Sequence, residues 1–412
     1  MTTVHQVLAT LSYGDAIGNE VLGIQRVLRG KGMQSDIFVE TADPRLEGLT
    51  RSYREMPDAV GADDLLIHHF SIGSKASRIA YALPARMMLV YHNITPPSYF
   101  VGVNKELIER CYLGRRELTA YARRCELAVG DSEFNRAELE ELGFAPTAVL
   151  PVVPDFSHLD VEPEAISTRE FDDDWTNIVF VGRVIPNKRF DDLIRIFHAY
   201  RTRYNARSRL LLVGSYTGFE NYRTQLDHLI AELKTADVHF SGHITNEELA
   251  AFYGVADLFL SASEHEGFCV PLTEAFYMGV PVLAYAATAV PWTMHGGGML
   301  YTDKDPAAVA ALMDSVLSDD AARDAVLASQ DAALERLLAE DFAATLLQHV
   351  EAALAAPRRR FEVAFDFWQQ VDTFERLRAL KKTRPALYEA LPLPDARRAN
   401  GGAAHAPGDG GA

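Results

Sequence analysis

The chain has 412 residues with 57 acidic and 40 basic side chains, which gives a formal net charge of −17 at pH 7. Its 48% hydrophobic and 24% charged residues are typical of a globular protein of two or three domains, and they exclude collagen, a disordered chain and a disulfide-rich mini-protein. Because there is no overall basic field, nucleic acid is not an expected partner.

Cysteine content and the N-terminal residues indicate the class of protein. Three scattered cysteines predict neither a disulfide framework nor a zinc ribbon. The first residues have no basic stretch before an apolar run, and no run reaches the roughly 18 apolar residues of a membrane span. We therefore expect a cytoplasmic protein.

Short apolar runs alternate with amphipathic segments through the first part of the chain. This alternation is typical of βαβ units and predicts a Rossmann-like N-terminal domain over residues 1–155. A turn containing Gly14 and Gly18 follows the first strand. Asp15, in that turn, would either cap the next helix or orient a substrate. Strand-like runs occur at residues 4–10, 65–68, 87–91, 127–130 and 148–153.

A second alternating series follows a proline-containing, acidic linker at residues 155–175. It predicts a second Rossmann-like domain over residues 156–356, a helical extension over 357–391, and a disordered tail over 392–412. The fold class is therefore α/β, with two doubly wound domains facing a central cleft, and ligand residues are expected directly after strands. The strands of this domain are predicted at residues 178–181, 210–213, 238–240, 258–261 and 280–284.

The segment from Gly182 to Arg189 lies between a predicted strand and a predicted helix. A glycine allows close approach of a ligand to the backbone, and a helix N-terminus favours anions. Arg183 and Lys188 add positive charge, so the segment suits a diphosphate, although a solvated basic turn would have the same sequence. It is not a Walker loop, since no G-x-x-x-x-G-K-[ST] occurs.

A second segment, Ser263 to Phe276, follows the strand at 258–261 and begins a helix. Glu266 and Glu274 are carboxylates that can each accept hydrogen bonds from a diol of a sugar or ribose. The amides of Gly267, Phe268 and Cys269 can hold a hydroxyl or phosphate oxygen. The alternative for Glu274 is that it only complements the helix dipole.

These motifs resemble the retaining, nucleotide-sugar-dependent glycosyltransferases of family 4, which have the GT-B fold. The resemblance covers residues 4–355. Its elements are E-x7-E at Glu266 and Glu274, G-R-x-x-x-x-K from Gly182 to Lys188, the Gly14–Gly18 loop, and D-S-x-F at Asp131–Phe134.

The resemblance implies a role for each matching residue. Glu274 would hold the donor ribose. The transferred sugar would be bound by Glu266 and the amides of residues 267–269. The diphosphate would be bound by Arg183 and Lys188. His92, just after a strand, would lie near the anomeric carbon as a catalytic residue. Gly14, Gly18 and Gly182 would belong to the donor-binding loops.

The chain differs from the family pattern at two places: Cys269 stands where many members have glycine, and His295-Gly296-Gly297-Gly298 replaces an acidic-glycine-glycine loop. No Asp-x-Asp is placed to hold a metal, so we expect no metal and no cofactor other than the donor substrate. His295–Gly298 imitates an esterase oxyanion loop, but no G-x-S-x-G elbow accompanies it. His68 and His69 are expected in a core or cleft-wall role.

The resemblance thus implies a retaining hexosyltransferase that acts on a glycan, lipid-linked or small-molecule hydroxyl, and the residues predict that it needs no metal. The string from Tyr91 to Pro97 is similar to that of bacterial mannosyl- and rhamnosyltransferases of surface polysaccharides, which suggests GDP-mannose as donor. The alternatives are a sugar phosphorylase or nucleotide-sugar epimerase on the same fold, or a non-catalytic partner in glycan assembly.

A peripheral contact with the membrane is a separate hypothesis. It rests on Arg115-Arg116, Arg123-Arg124, Tyr112 and Tyr121 in a predicted helix, for which a solvated helix face is the alternative.

Overall fold

The computed structural model describes residues 2–152 and 155–361, together with Lys382 and Pro385. Residues up to 361 form one compact unit, and residues 362–412 form a second unit. The predicted tail over 392–412 and most of the predicted helical extension over 357–391 lie outside the described residues. Residues 357–361 are described, and they are not helical.

Thirteen strands occur in the described residues. They are β1 Val4–Leu11, β2 Ile37–Ala42, β3 Thr50–Ser52, β4 Leu65–Phe70, β5 Arg86–Tyr91, β6 Leu127–Gly130, β7 Thr147–Val149, β8 Thr176–Val181, β9 Ser208–Val213, β10 Val238–Gly242, β11 Leu258–Ser261, β12 Val282–Tyr285 and β13 Met299–Tyr301.

Fourteen α-helices in the same residues connect and cover these strands. They are α1 Ala16–Gly30, α2 Met56–Ala59, α3 Lys75–Ala82, α4 Lys105–Tyr121, α5 Glu133–Glu141, α6 Ala165–Phe171, α7 Phe190–Arg203, α8 Glu220–Leu233, α9 Asn246–Gly254, α10 Val270–Tyr277, α11 Val290–Thr293, α12 Pro306–Leu317, α13 Asp320–Ala339 and α14 Phe342–Ala355.

The strands form two parallel sheets. The first has the order β3-β2-β1-β4-β5-β6-β7 and the second β10-β9-β8-β11-β12-β13. In each sheet the order reverses at the first strand of its half, β1 or β8, and ligands of such sheets bind at that point, outside the carboxyl ends of the strands. The predicted α/β class with two Rossmann-like sheets is therefore confirmed.

The degree of burial explains which strands could be predicted from the sequence and which could not. All six residues of β4 are buried, and so are four of the six in β8. By contrast β2 is buried only at its first three residues, and β3 and β13 have three residues each. These three strands were not predicted, because a short or half-exposed strand lacks the continuous apolar run that marks a buried parallel strand.

Helix α14 packs against the first sheet, although it follows the second sheet in the chain. Its Leu346, Val350 and Ala353 are buried in one cluster with residues of β1, β4, β5 and β6. His349 Nε2 also lies 3.0 Å from the carbonyl oxygen of Val149 in β7. Chain order predicts that residues up to 356 belong to the second domain, whereas the apolar face of α14 is buried on the first sheet.

The predicted linker contains one helix, α6, which comes between the two sheets in chain order. Glu164 caps it, accepting hydrogen bonds from the amides of Ile166 and Ser167. Residues 155–160 contact α10 of the second domain, where Phe156 stacks on Tyr277 with ring centroids 4.7 Å apart. This part of the linker therefore packs against the second domain.

Candidate functional site

The motif residues of the second domain converge at the reversal of strand order. Gly182 directly follows β8, and Glu266 lies in the loop after β11, the strand that pairs with β8. Two segments about 80 residues apart in sequence therefore meet at one sheet edge. The sequence placed each motif after a strand, and the adjacency of β8 and β11 brings them together.

Glycines let two loops cross at this edge. Gly214, after β9, has φ of +146°, and a Cβ there would lie 2.2 Å from the carbonyl oxygen of Gly182. The crossing leads the chain into the short 3₁₀ helix Pro186–Lys188, where Asn187 donates a hydrogen bond to the carbonyl of His265 at 2.9 Å. Lys188 is thereby held opposite Glu266.

Lys188 and Glu266 form an ion pair. Lys188 Nζ lies 2.7 Å from Glu266 Oε1, and the side chains are 13% and 9% exposed. Burial works against the charged amine, but the Glu266 carboxylate outweighs it and raises the pKa of Lys188 above its ordinary value. The pair thus places a fixed ammonium and a fixed carboxylate side by side at the carboxyl ends of β8 and β11.

Arg183 is exposed at the same edge. Its Nη2 donates to the carbonyl oxygen of Thr217 at 3.1 Å, and its guanidinium lies over the ring of Phe219, 5.0 Å from the centroid. Within the described part of the chain, no carboxylate lies within ion-pair distance of Arg183. Most of its donors are thus free for an anionic ligand.

Glu274 lies in the second turn of α10, and both of its carboxylate oxygens have partners. Tyr253 donates to Oε2 at 2.9 Å, and His158 Nε2 lies 2.9 Å from Oε1. The hydrogen bond to Glu274 raises the pKa of His158. Neither partner was predicted, because both contacts join elements distant in sequence. One lone pair on each oxygen remains for a diol.

The three residues before α10 shape its N-terminus. Cys269 caps the helix with φ of +81°, a left-handed conformation that is uncommon for a residue with a side chain. Thr293 fixes the loop by donating to the carbonyl of Phe268. No acceptor in the described residues takes a hydrogen bond from the amides of Gly267, Phe268 or Cys269. The three amides are therefore available to a ligand oxygen.

The glycine turn of the first domain begins α1. Asp15 caps the helix by accepting from the amide of Gly18 at 2.6 Å. A Cβ on Gly18 would lie 2.2 Å from the carbonyl oxygen of Ser12, so only glycine fits. Gly14 has φ of +75°, which again favours glycine. The turn is tight, exposed and placed at the carboxyl end of β1.

His92 follows β5, and its ring is inside the first domain. The ring is 1% exposed, with Nδ1 3.0 Å from Asp131 Oδ2 and Nε2 2.9 Å from His69 Nδ1. His69 Nε2 in turn lies 2.9 Å from Gln6 Oε1, and Glu20 Oε2 lies 3.8 Å from His92 Nδ1. The structure thus places the predicted catalytic ring in a buried hydrogen-bond chain. Gln6, Glu20 and His69 were not predicted as part of a site.

Glu20, His69 and His92 are the three residues of the described chain whose ligand atoms cluster closely enough to suggest a metal. The positions of these ligand atoms do not suit a bound metal ion. His69 Nδ1 and His92 Nε2 are 2.9 Å apart, a hydrogen-bond distance, whereas two nitrogens on a tetrahedral ion with bonds of about 2.0–2.1 Å are about 3.3 Å apart. Glu20 faces the opposite nitrogen of His92.

The two domains touch beside these residues. His265 Nε2 lies 2.6 Å from Asn93 Oδ1, and Ser132 donates to the carbonyl of Gly267 at 2.8 Å. A Cβ on Gly267 would lie 2.9 Å from Asn93 Cβ and 3.1 Å from the carbonyl oxygen of His92. The loop that carries Glu266 is therefore packed directly on the strand end that carries His92.

The loop from His295 to Gly298 packs against α13 instead. A Cβ on Gly297 would lie 2.7 Å from Ala333 Cβ, and Arg336 donates to the carbonyl of His295. The contact with Ala333 gives Gly297 a packing role.

The structure places only part of the proposed membrane-binding residues, on α4 and just after it, at the surface: Tyr112 and Arg123 are exposed. Arg124 is 1% exposed and donates to the carbonyls of Tyr81, Leu83 and Ala85. Tyr121 is fully buried, and Arg115 pairs with Glu138. Half of the charges on which the hypothesis rested therefore stabilise the first domain. In the described residues no helix is long and apolar enough to cross a bilayer.

Comparisons with solved structures show the fold. Sucrose-phosphate synthase of Thermosynechococcus elongatus superposes with a TM-score of 0.67 at 18% identity, covering 86% of this chain and all of that one. HepE of Anabaena, solved in complex with UDP-glucose, superposes with a TM-score of 0.66 at 17% identity and the same coverage. Such neighbours identify the arrangement as GT-B.

Sequence comparisons match part of the chain. The O-antigen chain mannosyltransferase B of Escherichia coli is 27% identical over 148 residues, which are 35% of this chain and 38% of that protein. The chain spans about two fifths or less of the length of such curated relatives. Residues 162–329, which include Arg183, Lys188, Glu266 and Glu274, match the family model of glycosyl transferases group 1. The part of the chain that is similar to this family thus lies in the second domain.

Proposed function

We propose that the chain is a hexosyltransferase that uses a nucleoside diphosphate sugar, retains the anomeric configuration and needs no metal. Its acceptor would be a hydroxyl of a glycan, a lipid-linked glycan or a small molecule. The observation that carries the proposal is the Lys188–Glu266 ion pair, set beside the exposed Arg183 at the carboxyl ends of β8 and β11.

The proposed chemistry follows from where charge develops. Breaking the anomeric C–O bond puts positive charge on the sugar and negative charge on the departing diphosphate. Arg183 and Lys188 would stabilise the diphosphate, and fixed charges of this kind usually contribute more to catalysis than any other single effect. Glu266, held by Lys188, would accept hydrogen bonds from sugar hydroxyls, and the free amides of residues 267–269 would bind a sugar or phosphate oxygen.

Two cations at the leaving group would supply the charge that a divalent metal supplies in other transferases. Retention would follow from attack on the face of the departing diphosphate, whose oxygen would accept the proton of the acceptor hydroxyl. The retaining course and the metal independence rest on the resemblance to family 4.

The donor sugar is proposed from relatives. Two sequence relatives are named as mannosyltransferases, one of O-antigen chains and one serotype-specific, which supports GDP-mannose. HepE was solved with UDP-glucose, so uridine nucleotides belong in the same test. Glu274 would hold the ribose with either base.

The first experiment is a thermal-shift panel of UDP, GDP, ADP and TDP against the wild type and Arg183→Ala. A ligand at 100 times its Kd stabilises a protein by about 2.7 kcal/mol, which moves a melting point measurably. We expect one nucleotide to shift the wild type and to shift Arg183→Ala much less. Arg203→Ala is the matched control, because Arg203 is exposed at the far end of α7, about 20 Å of helix away.

The second experiment gives the matching nucleotide sugar to the enzyme with and without EDTA and reads the anomeric configuration of the product by NMR. Inversion or a loss of turnover with EDTA would contradict the proposed mechanism. Phosphate-dependent release of a sugar phosphate without any nucleotide would instead identify a phosphorylase.

A further inference from the structure

The buried chain behind His92 fixes which of its atoms carry hydrogen. Gln6 Nε2 lies 3.0 Å from the carbonyl oxygen of Val21, and a carbonyl oxygen only accepts hydrogen bonds. The amide nitrogen of Gln6 must therefore face Val21, and Gln6 Oε1 must face His69 Nε2 at 2.9 Å. Because Oε1 is an acceptor, His69 carries its hydrogen on Nε2.

The next contact sets the state of His69. Its Nδ1 lies 2.9 Å from His92 Nε2, and one of the two nitrogens must donate. His69 is 2% exposed, and burial together with the neighbouring His92 holds its pKa well below the ordinary value. A neutral His69 with hydrogen on Nε2 has a lone pair on Nδ1. His92 Nε2 is therefore the donor.

The other nitrogen of His92 faces two acids. Asp131 Oδ2 lies 3.0 Å and Glu20 Oε2 lies 3.8 Å from Nδ1, and Asp15, at the cap of α1, adds a weaker attraction. Glu20 is fully buried, and its Oε1 has no hydrogen-bond partner among the described residues. Burial and the Asp131 charge raise the pKa of Glu20 to about 8. Two ionised acids beside one imidazole would leave a buried net charge, which is costly.

We infer that His92 is a buried imidazolium, with both N–H groups donated inside the first domain to Asp131 and to a neutral His69, while Glu20 stays protonated. Gln6, His69, Asp131 and Glu20 are then positioning residues for the His92 strand end. This inference rests on the proposed function only for its consequence in sugar transfer. Burial alone opposes the charge, but the Asp131 carboxylate 3.0 Å from Nδ1 is the largest opposing cause and holds the pKa of His92 above its ordinary value.

The charge on His92 limits what its ring can do in sugar transfer. An imidazolium has no lone pair, so the ring of His92, which is 1% exposed, cannot act as a base. What faces the second domain is the backbone of His92 and Asn93, packed on Gly267. The charged ring holds this backbone in position against the loop that carries Glu266.

Nitrogen NMR on the full chain tests the ionisation directly. In histidine-labelled protein at pH 7.5 we expect both ring nitrogens of His92 to carry hydrogen and His69 to be neutral with hydrogen on Nε2. His69→Gln and His92→Gln assign the signals. A neutral His92 ring at pH 7.5, or His69 with hydrogen on Nδ1, would overturn the inference. This readout needs no substrate, so it stands even if no donor is turned over.

A pair of variants tests the positioning role. His69→Gln keeps an acceptor for His92, and we expect kcat/KM for the donor within about fivefold of wild type. His69→Phe keeps the ring shape but removes the acceptor, and we expect at least a tenfold lower kcat/KM and a His92 ring that loses its proton at lower pH. Equal activity losses in both variants, with His92 still charged in each, would contradict a positioning role. An inactive wild type with a charged His92 would contradict the proposed function alone.

Discussion

The carboxyl ends of the two sheets meet at His265 and Asn93, and the residues on each side form the two walls of the candidate site. The two walls differ in how their polar groups are paired. On the second-domain wall, Arg183 is exposed with one hydrogen bond to protein, and three amides before α10 are free. On the first-domain wall, the ring of His92 is 1% exposed and both of its nitrogens have protein partners. One wall presents donors that a ligand would pair, whereas on the other wall both nitrogens of the His92 ring are already paired with protein atoms.

This difference shows which residues a ligand would contact. A preorganised site for an anion leaves donors unpaired until the ligand arrives, as the second wall does. A buried ring whose two nitrogens are both paired with protein atoms, as in the first wall, contributes rigidity to that wall. Activity and stability measured on the same variant separate these two contributions, since loss of a ligand contact lowers activity without lowering stability.

The largest effect is expected at the second wall. Lys188→Ala and Arg183→Ala should each lower kcat/KM for the donor by about 100-fold or more, because each removes a cation from the leaving group. Steady-state kinetics with the identified donor measures the loss. For Arg183→Ala the melting temperature without ligand should stay within about 2 °C of wild type, because exposed substitutions change stability by only about 0.5 kcal/mol.

Glu232→Ala and Arg203→Ala are the surface controls, since both side chains are exposed on α8 and α7. A loss in either control as large as the loss at Arg183 would mean that the donor site lies elsewhere.

A smaller effect is expected at Glu274, whose role is binding rather than charge stabilisation at the reacting bond. Glu274→Gln should raise the KM for the donor about tenfold with little change in kcat, because a charge-assisted hydrogen bond is worth about 1.5–3 kcal/mol. Tyr253→Phe, which removes the hydroxyl that holds Oε2, should raise KM by about threefold. A fall in kcat without a change in KM would contradict a ribose-binding role.

Much of the second wall could be predicted from sequence because its motifs are local. Gly182, Lys188, Glu266 and Glu274 stand at fixed short spacings after apolar strand runs. Their meeting needed one further fact, that β8 and β11 are neighbours, and this follows from the strand order of a doubly wound sheet. A shared site for Lys188 and Glu266 could thus be predicted, whereas the ion pair between them was not.

The first wall could not be predicted in the same way. Gln6, Glu20 and His69 come from β1, α1 and β4, and nothing in the local sequence links them to each other or to the D-S-x-F motif that contains Asp131. A lone histidine in an apolar strand has the same local pattern whether it is a packing residue or part of a charged chain. The packing of α14 on the first sheet could not be predicted either, because the apolar face of a helix does not specify which sheet it packs against.

The first wall should instead determine how stability depends on pH. His92 has its pKa raised from 6.5 to about 9 and Glu20 from 4.5 to about 8, so the folded state binds more protons than the unfolded state in these ranges. The free energy of unfolding should therefore fall as pH rises from 6.5 to 8.5, by about 1 kcal/mol or more. Urea denaturation at pH 6.5, 7.5 and 8.5 measures it.

Glu20→Gln sharpens this test. The amide has nearly the same shape as the protonated acid but does not titrate, so the variant should lose less stability over the same pH range than the wild type. A wild-type free energy of unfolding that stays level or rises between pH 6.5 and 8.5 would show that the buried groups do not hold the proposed protons.

The smallest effect is expected where the two walls meet, at His265 and Asn93. Their side chains are joined by one hydrogen bond of 2.6 Å across the cleft, and a bond of this kind contributes about 0.5–1.5 kcal/mol. His265→Ala and Asn93→Gly should each raise the KM for the donor about threefold, with glycine chosen because Asn93 has φ of +66°. If the contact aligns the walls, the double variant should be no worse than either single variant, since both remove the same interaction. Effects that multiply to about ninefold would show that each residue acts within its own wall.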